Sequence, residues 1–158
     1  MVRLRSIRHP LRRFAQIDGR RRALIIEAVL CLLLARLALV LVPFPQLARR
    51  LGVFVAPGDA RVAQARRQGS RAQMDQAAAV GWAVTRAARY LPFKAVCLPQ
   101  AMAARLMLKR RGIASVLHFG AGKDGERQLD AHAWLDAAGV EVTGYPVGSG
   151  LAEIACFV

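Results

Sequence analysis

The sequence predicts an α+β fold: a helical N-terminal half, then a helix packed on a small antiparallel sheet. Three observations predict it. Residues 23–42 and 59–90 are apolar or alanine-rich at helical period. Residues 97–111 form a third helix sequence, with a proline in its first turn and a glycine closing it. From residue 113 onward the text becomes β-rich, with one strictly alternating stretch and turn dipeptides between runs.

Composition bounds the rest. The chain has 158 residues, 55% of them hydrophobic, which is too apolar for general disorder. Cys31, Cys97 and Cys156 are an odd and widely spaced set, so a disulfide-stapled scaffold is excluded. No C-x-x-C knuckle and no phosphate-cradling loop occur, so neither a metal nor a cofactor is expected. The net charge is +14, carried by the N-terminal two-thirds; residues 112–158 are mildly acidic. Such a surface suits anionic partners, but few aromatics interleave the arginines, so nucleic acid is not expected.

Residues 1–22 read as a basic arm. Residues 23–42 have the length of a membrane span, yet Glu27 and Arg36 interrupt them on opposite helical sides. A helix packed on the domain or a partner, a membrane-associated helix and a cleaved signal all remain open for this stretch. Pro43 and Pro45 end it. Gln46–Gly52 is a short helical turn, and Val53–Gly58 a linker. These boundaries divide the chain into an extension, residues 1–52, and a domain, residues 53–158. Residues 59–90 read as one helix with Val80, Val84, Ala87 and Trp82 on its apolar face.

The helix beginning at Cys97 has Pro99 in its first turn and Gly112 as its stop, with Leu98, Met102, Leu106 and Leu108 as a buried stripe. Lys109, Arg110 and Arg111 suit its negative end. Arg105, Arg110 and Arg111 read either as a solvated face or as a docking surface for a partner. Ile113–Phe119 is a strand and Gly120–Gly125 a loop. Leu129–Asp136 alternates, with Asp130, His132, Trp134 and Asp136 on one face and Ala131, Ala133 and Leu135 on the other. Val140–Thr143 is the return strand.

Two residues carry candidate chemistry. A thiol at a helix start lies near unpaired N–H groups that favour thiolate, the nucleophilic form, and Lys94 adds positive charge. Cys97 holds that place; the alternative is an ordinary buried cysteine. His132 stands mid-strand between small alanines, which let a helix approach. A Cys–His pair needs the imidazole within roughly 3–4 Å of sulfur to act as base and then acid. The alternative for His132 is a half-buried structural histidine. His118 and His9 lack such context, and His118 is expected to pack or face solvent.

Tyr90-Leu-Pro-Phe-Lys-Ala-Val-Cys97-Leu-Pro-Gln-Ala, then Arg110-Arg-Gly-Ile113, then Ala131-His-Ala-Trp134 resembles the lasso-peptide biosynthesis B2 family. That resemblance implies a leader peptidase with a transglutaminase-like, papain-like cysteine protease core. It implies Cys97 as nucleophile, His132 as general base and an acid about twelve residues beyond. Gly144 occupies that place, and glycine has no side chain with which to orient an imidazole. Glu141, Thr143 or Asp130 could substitute, with Glu141 the choice among them; a Cys–His dyad is the alternative. The implied partners are a precursor peptide, a separate leader-binding protein and a macrolactam synthetase. The implied location is the cytoplasm, with contact at the membrane surface as an option. Other acyl transfer, or a non-catalytic scaffold, are the competing readings.

Overall fold

The computed structural model describes residues 18–93, 96–124 and 128–158, with backbone only for 123–124 and 128–130. The basic arm before Asp18, with His9, and the candidate cation Lys94 lie outside the described residues. So does the side chain of Asp130.

Among the described residues five helices and five strands follow one another: α1 (Gly19–Leu41), α2 (Phe44–Leu51), β1 (Phe54–Val55), α3 (Ala60–Ala65), α4 (Arg71–Ala88), α5 (Cys97–Lys109), β2 (Ser115–Asp124), β3 (Gln128–Ala137), β4 (Val140–Thr143) and β5 (Leu151–Phe157). The strands form one antiparallel sheet in the order β1-β5-β2-β3-β4. The fold is α+β, as expected.

The expected helix over 59–90 is two helices. Asp59 caps α3 through Arg61 N–H, and Ser70 starts α4 with a capping box in which Ser70 and Gln73 exchange bonds. The linker after Gly52 contains β1, and the expected loop at 120–122 is strand. β5 lies between β1 and β2; no strand was expected beyond Thr143, although the Gly148-Ser149-Gly150 turn precedes it.

Helices α1, α4 and α5 form a layer over one face of the sheet. Ala28, Cys31 and Leu32 of α1 share a core with Val80 and Val84 of α4 and with Ala101, Ala104, Met107 and Leu108 of α5. Ala133, Leu135 and Ala137 of β3 complete this core from below. Small residues set the spacing, because Ala28, Ala77, Ala83, Ala101, Ala103 and Ala104 are fully buried. Leu106 departs from the expected stripe and is exposed, as is Trp82, whose ring lies under the guanidinium groups of Arg21 and Arg86.

Two arginines expected on a solvated or partner-binding face are instead internal ties. Arg105 donates to the carbonyls of Ser115 at 2.8 Å and Phe157 at 2.9 Å. Arg111 forks onto Glu27 at 3.1 and 2.6 Å and donates to the Met107 carbonyl. The physical reason is the charge inside α1: Glu27 needs a cation, and the end of α5 supplies it. Arg110 adds a longer contact, 3.7 Å.

Candidate active site on the β3 strand

β3 presents two faces with different chemistry. Its odd-numbered residues from Ala133 face the helical layer, and the pleat therefore turns His132, Trp134 and Asp136 to the other side. Cross-strand partners share a face, so Gly120 lies beside His132, His118 beside Trp134 and Val116 beside Asp136. From His132 to Asp136 the structure has the alternation expected of this strand.

Cys97 is the first residue of α5, and Val96 is its N-cap. No side chain caps this end, so the first-turn N–H groups point outward from the helix start. The thiol is partly exposed and makes no hydrogen bond with any described residue.

His132 is half-buried. Its Nε2 lies 2.6 Å from the carbonyl oxygen of Gly144. A carbonyl only accepts, so Nε2 donates, and in the neutral ring Nδ1 keeps a lone pair. The ring stacks on Trp134 at 6.0 Å between centroids. Thus the position twelve residues beyond the histidine does orient the imidazole, through its backbone. The expectation that Gly144 could not do so fails because it considered side chains alone. Glycine is required there on two counts. Its φ is +84°, and a Cβ would stand 2.5 Å from the Ala133 carbonyl.

Glu141 lies opposite Asp136 rather than beside His132, because β3 and β4 are joined by a tight turn and the register shifts between Asp136 and Leu135. Its side chain is exposed, lines a shallow groove with Trp82, Arg86 and Arg89, and makes no hydrogen bond or ion pair with His132. Thr143 pairs with Leu135 and not with His132. The structure brings His132 together with Gly144; it does not bring Cys97 into hydrogen-bond contact with His132, nor Glu141 to either.

A second cluster lies on the same face of the sheet. His118 is fully buried, so of the two expected alternatives it packs rather than facing solvent, and it has polar partners as well. Its Nδ1 meets Glu153 Oε1, and Cys156 Sγ lies 3.5 Å from the same nitrogen. Cys156 donates to Glu153 at 2.9 Å. Asp136 Oδ2 lies 3.2 Å from His118 Nε2, close but poorly aligned for a hydrogen bond. Asp136 also accepts from Tyr145 and pairs with Arg66 at 2.9 Å. These partners outweigh the cost of burial and hold its carboxyl below the ordinary value. Burial, then Glu153, pushes the Cys156 thiol up to about 12. Trp134 stacks on His118 at 5.3 Å and nearly parallel, so the two histidines flank one indole.

Glu153 and Cys156 share a face only because the ladder shifts between Phe119 and Gly120, which leaves Ile154 outside the register. Simple alternation puts them on opposite faces, which is why sequence reasoning missed the cluster. A histidine, a carboxylate and a thiol on strands that pair were its only signals.

No curated protein and no solved structure matches the chain. A family model described as Transglutaminase-like superfamily matches residues 38–155, which spans α2 to β5 and both candidate residues, Cys97 and His132. The chain belongs to the transglutaminase-like superfamily, whose members include cysteine proteases and acyl transferases.

Proposed function

We propose that the protein is a cysteine peptidase that removes the leader from a ribosomally made lasso-peptide precursor. Support comes from superfamily membership, from the helix-start position of Cys97 and from the residues around Cys97 and His132 that resemble the B2 leader peptidases. The observation that carries it is the bond from His132 Nε2 to the Gly144 carbonyl, which leaves Nδ1 as the proton acceptor.

In this reading Nδ1 takes the Cys97 proton as sulfur attacks the carbonyl at the leader–core junction. A first-turn N–H of α5 stabilises the oxyanion. The imidazolium returns its proton to the leaving amine, and the core departs with a free N-terminus. Water then attacks the leader thioester, gives its proton to Nδ1, and regenerates the thiol. Cys97 starts a helix on one side of the sheet and packs against the helical core, whereas His132 projects from the other face of β3, so the reading requires sulfur and Nδ1 to meet around the sheet's edge when peptide binds. The partners are the precursor, a separate leader-binding protein and the synthetase that closes the ring. The test is incubation of the chain with its leader-binding protein and precursor, read by mass spectrometry. Core and leader fragments are expected from the wild type and none from Cys97→Ala. Equal cleavage by that variant removes the proposal.

We also propose that α1 rests on an anionic membrane surface. Its inner residues Ile25, Ala28, Cys31, Leu32 and Ala35 are buried, whereas Ile26, Leu30, Leu33, Leu34, Leu37 and Leu41 are exposed. The helix is long and apolar enough to cross a membrane, but its packed face and the Glu27–Arg111 pair favour lying along one. Arg20–Arg22 lie in the first turn of α1 and Arg49–Arg50 in the last turn of α2, and these are the cations offered to lipid phosphates.

A further inference from the structure

We propose that His118, Glu153 and Cys156 form a binding site for a divalent zinc-type cation on the sheet face opposite α1, α4 and α5, beside the packing of Val62 of α3 on Val116 and Cys156. Imidazole nitrogen, thiolate sulfur and carboxylate oxygen are the donors of such ions, and the three donor atoms all lie within 4.8 Å of one another. With metal–ligand bonds of about 2.0–2.3 Å, neighbouring ligands of a tetrahedral ion stand roughly 3.3–3.7 Å apart. The 3.5 Å between Cys156 Sγ and His118 Nδ1 already has that length. Glu153 lies between them and is the partly exposed member, so it alone has to swing outward.

The outer groups fit as well. A metal on Nδ1 places the ring proton on Nε2, and Asp136 stands at that nitrogen. Carboxylate behind histidine is the usual support of a metal-bound imidazole. Tyr145 and Arg66 in turn fix Asp136. Charge points the same way. Among the described residues two carboxylates share this region with one arginine, Arg66, and a bound thiolate adds a third negative charge that a dication offsets. Binding displaces the Cys156 proton to solvent and joins β2 to β5 through a bond set that the sheet ladder does not provide. The fourth position is left for water.

The probe is cobalt(II), added to the full-length chain after chelator dialysis. One equivalent is expected to give a near-ultraviolet thiolate-to-metal band together with visible bands of a four-coordinate ion. Cys156→Ser is expected to remove the thiolate band, and Cys31→Ser and Cys97→Ser to keep it. His118→Gln and Glu153→Gln are expected to weaken cobalt binding at least about tenfold. Absence of a thiolate band in the wild type overturns the site, as does a band that survives Cys156→Ser. If circular dichroism shows that Cys156→Ser does not fold, Glu153→Gln decides, because it changes the partly exposed member; unchanged cobalt affinity there overturns the site. None of these readings depends on peptidase activity.

Discussion

His132 and Gly144 are joined by a hydrogen bond in which a main-chain carbonyl does what a carboxylate side chain does in a triad. A neutral acceptor fixes the ring tautomer but stabilises the imidazolium less than an anion would. The position therefore depends on backbone conformation, and its sensitivity to substitution should follow the main chain.

Gly144→Ala tests this dependence. The substitution places a methyl group 2.5 Å from the Ala133 carbonyl, at a φ of +84°. The carbonyl has to move, and leader cleavage should fall at least about tenfold. Single-turnover cleavage measured beside a urea unfolding curve separates misplacement from unfolding; wild-type cleavage by a folded variant refutes it.

Glu141→Gln should leave cleavage within about threefold of wild type, because the carboxylate is exposed and does not meet His132. His132→Ala should cost about a hundredfold or more, the range for loss of a general base. A large Glu141 effect would show that the groove beside Trp82 serves the reaction.

The Glu27–Arg111 fork links α1 to the end of α5. The hydrogen bond from Arg111 outweighs desolvation and holds the Glu27 carboxyl below its ordinary 4.5. A depressed carboxyl stabilises the fold above its unfolded value and loses that contribution as pH falls through the folded one. Glu27→Gln should therefore cost about 1 kcal/mol at pH 7, and the gap from wild type should close as pH drops below 4.5. Urea midpoints at several pH values measure it.

Gly81 sits where α4 touches β4. A Cβ there would stand 2.3 Å from the Val142 carbonyl. Gly81→Ala should destabilise by about 2 kcal/mol despite alanine's better helix propensity, because main chain cannot yield as a side chain does. An increase in urea midpoint would contradict the close contact.

Vesicle co-sedimentation tests the outer face of α1. Binding to vesicles with anionic lipid should exceed binding to neutral ones and weaken with salt. Leu34→Glu with Leu37→Glu should reduce it several-fold while the inner face keeps the fold. Equal binding by the double variant points to the basic arm instead.

Side-chain pattern made parts of this molecule readable from its sequence. Pro99 and Gly112 marked the ends of α5, and the alanines around His132 marked a strand that accepts a helix. Gly69-Ser70 did not stand out within an alanine-rich run, although Ser70 and Gln73 had the spacing of a capping box. Gly144 was discounted because a one-letter text shows no main-chain acceptor. His118 appeared alone because its partners lie 18 and 35 residues further along and meet it only through strand pairing. Arg105 and Arg111 read as surface charge because nothing local reveals the carbonyls and the glutamate they reach.

The two-sided use of β3 restricts its length more than its composition. Leu135 and Ala133 serve the helices while His132, Trp134 and Asp136 serve the other side. A single inserted or deleted codon upstream of the Ala138-Gly139 turn would exchange the two sets, sending imidazole and carboxylate into oil and leucine into the polar cluster. Point changes along this strand are thus survivable one at a time, whereas indels between residues 128 and 137 should be absent from any functional library of variants.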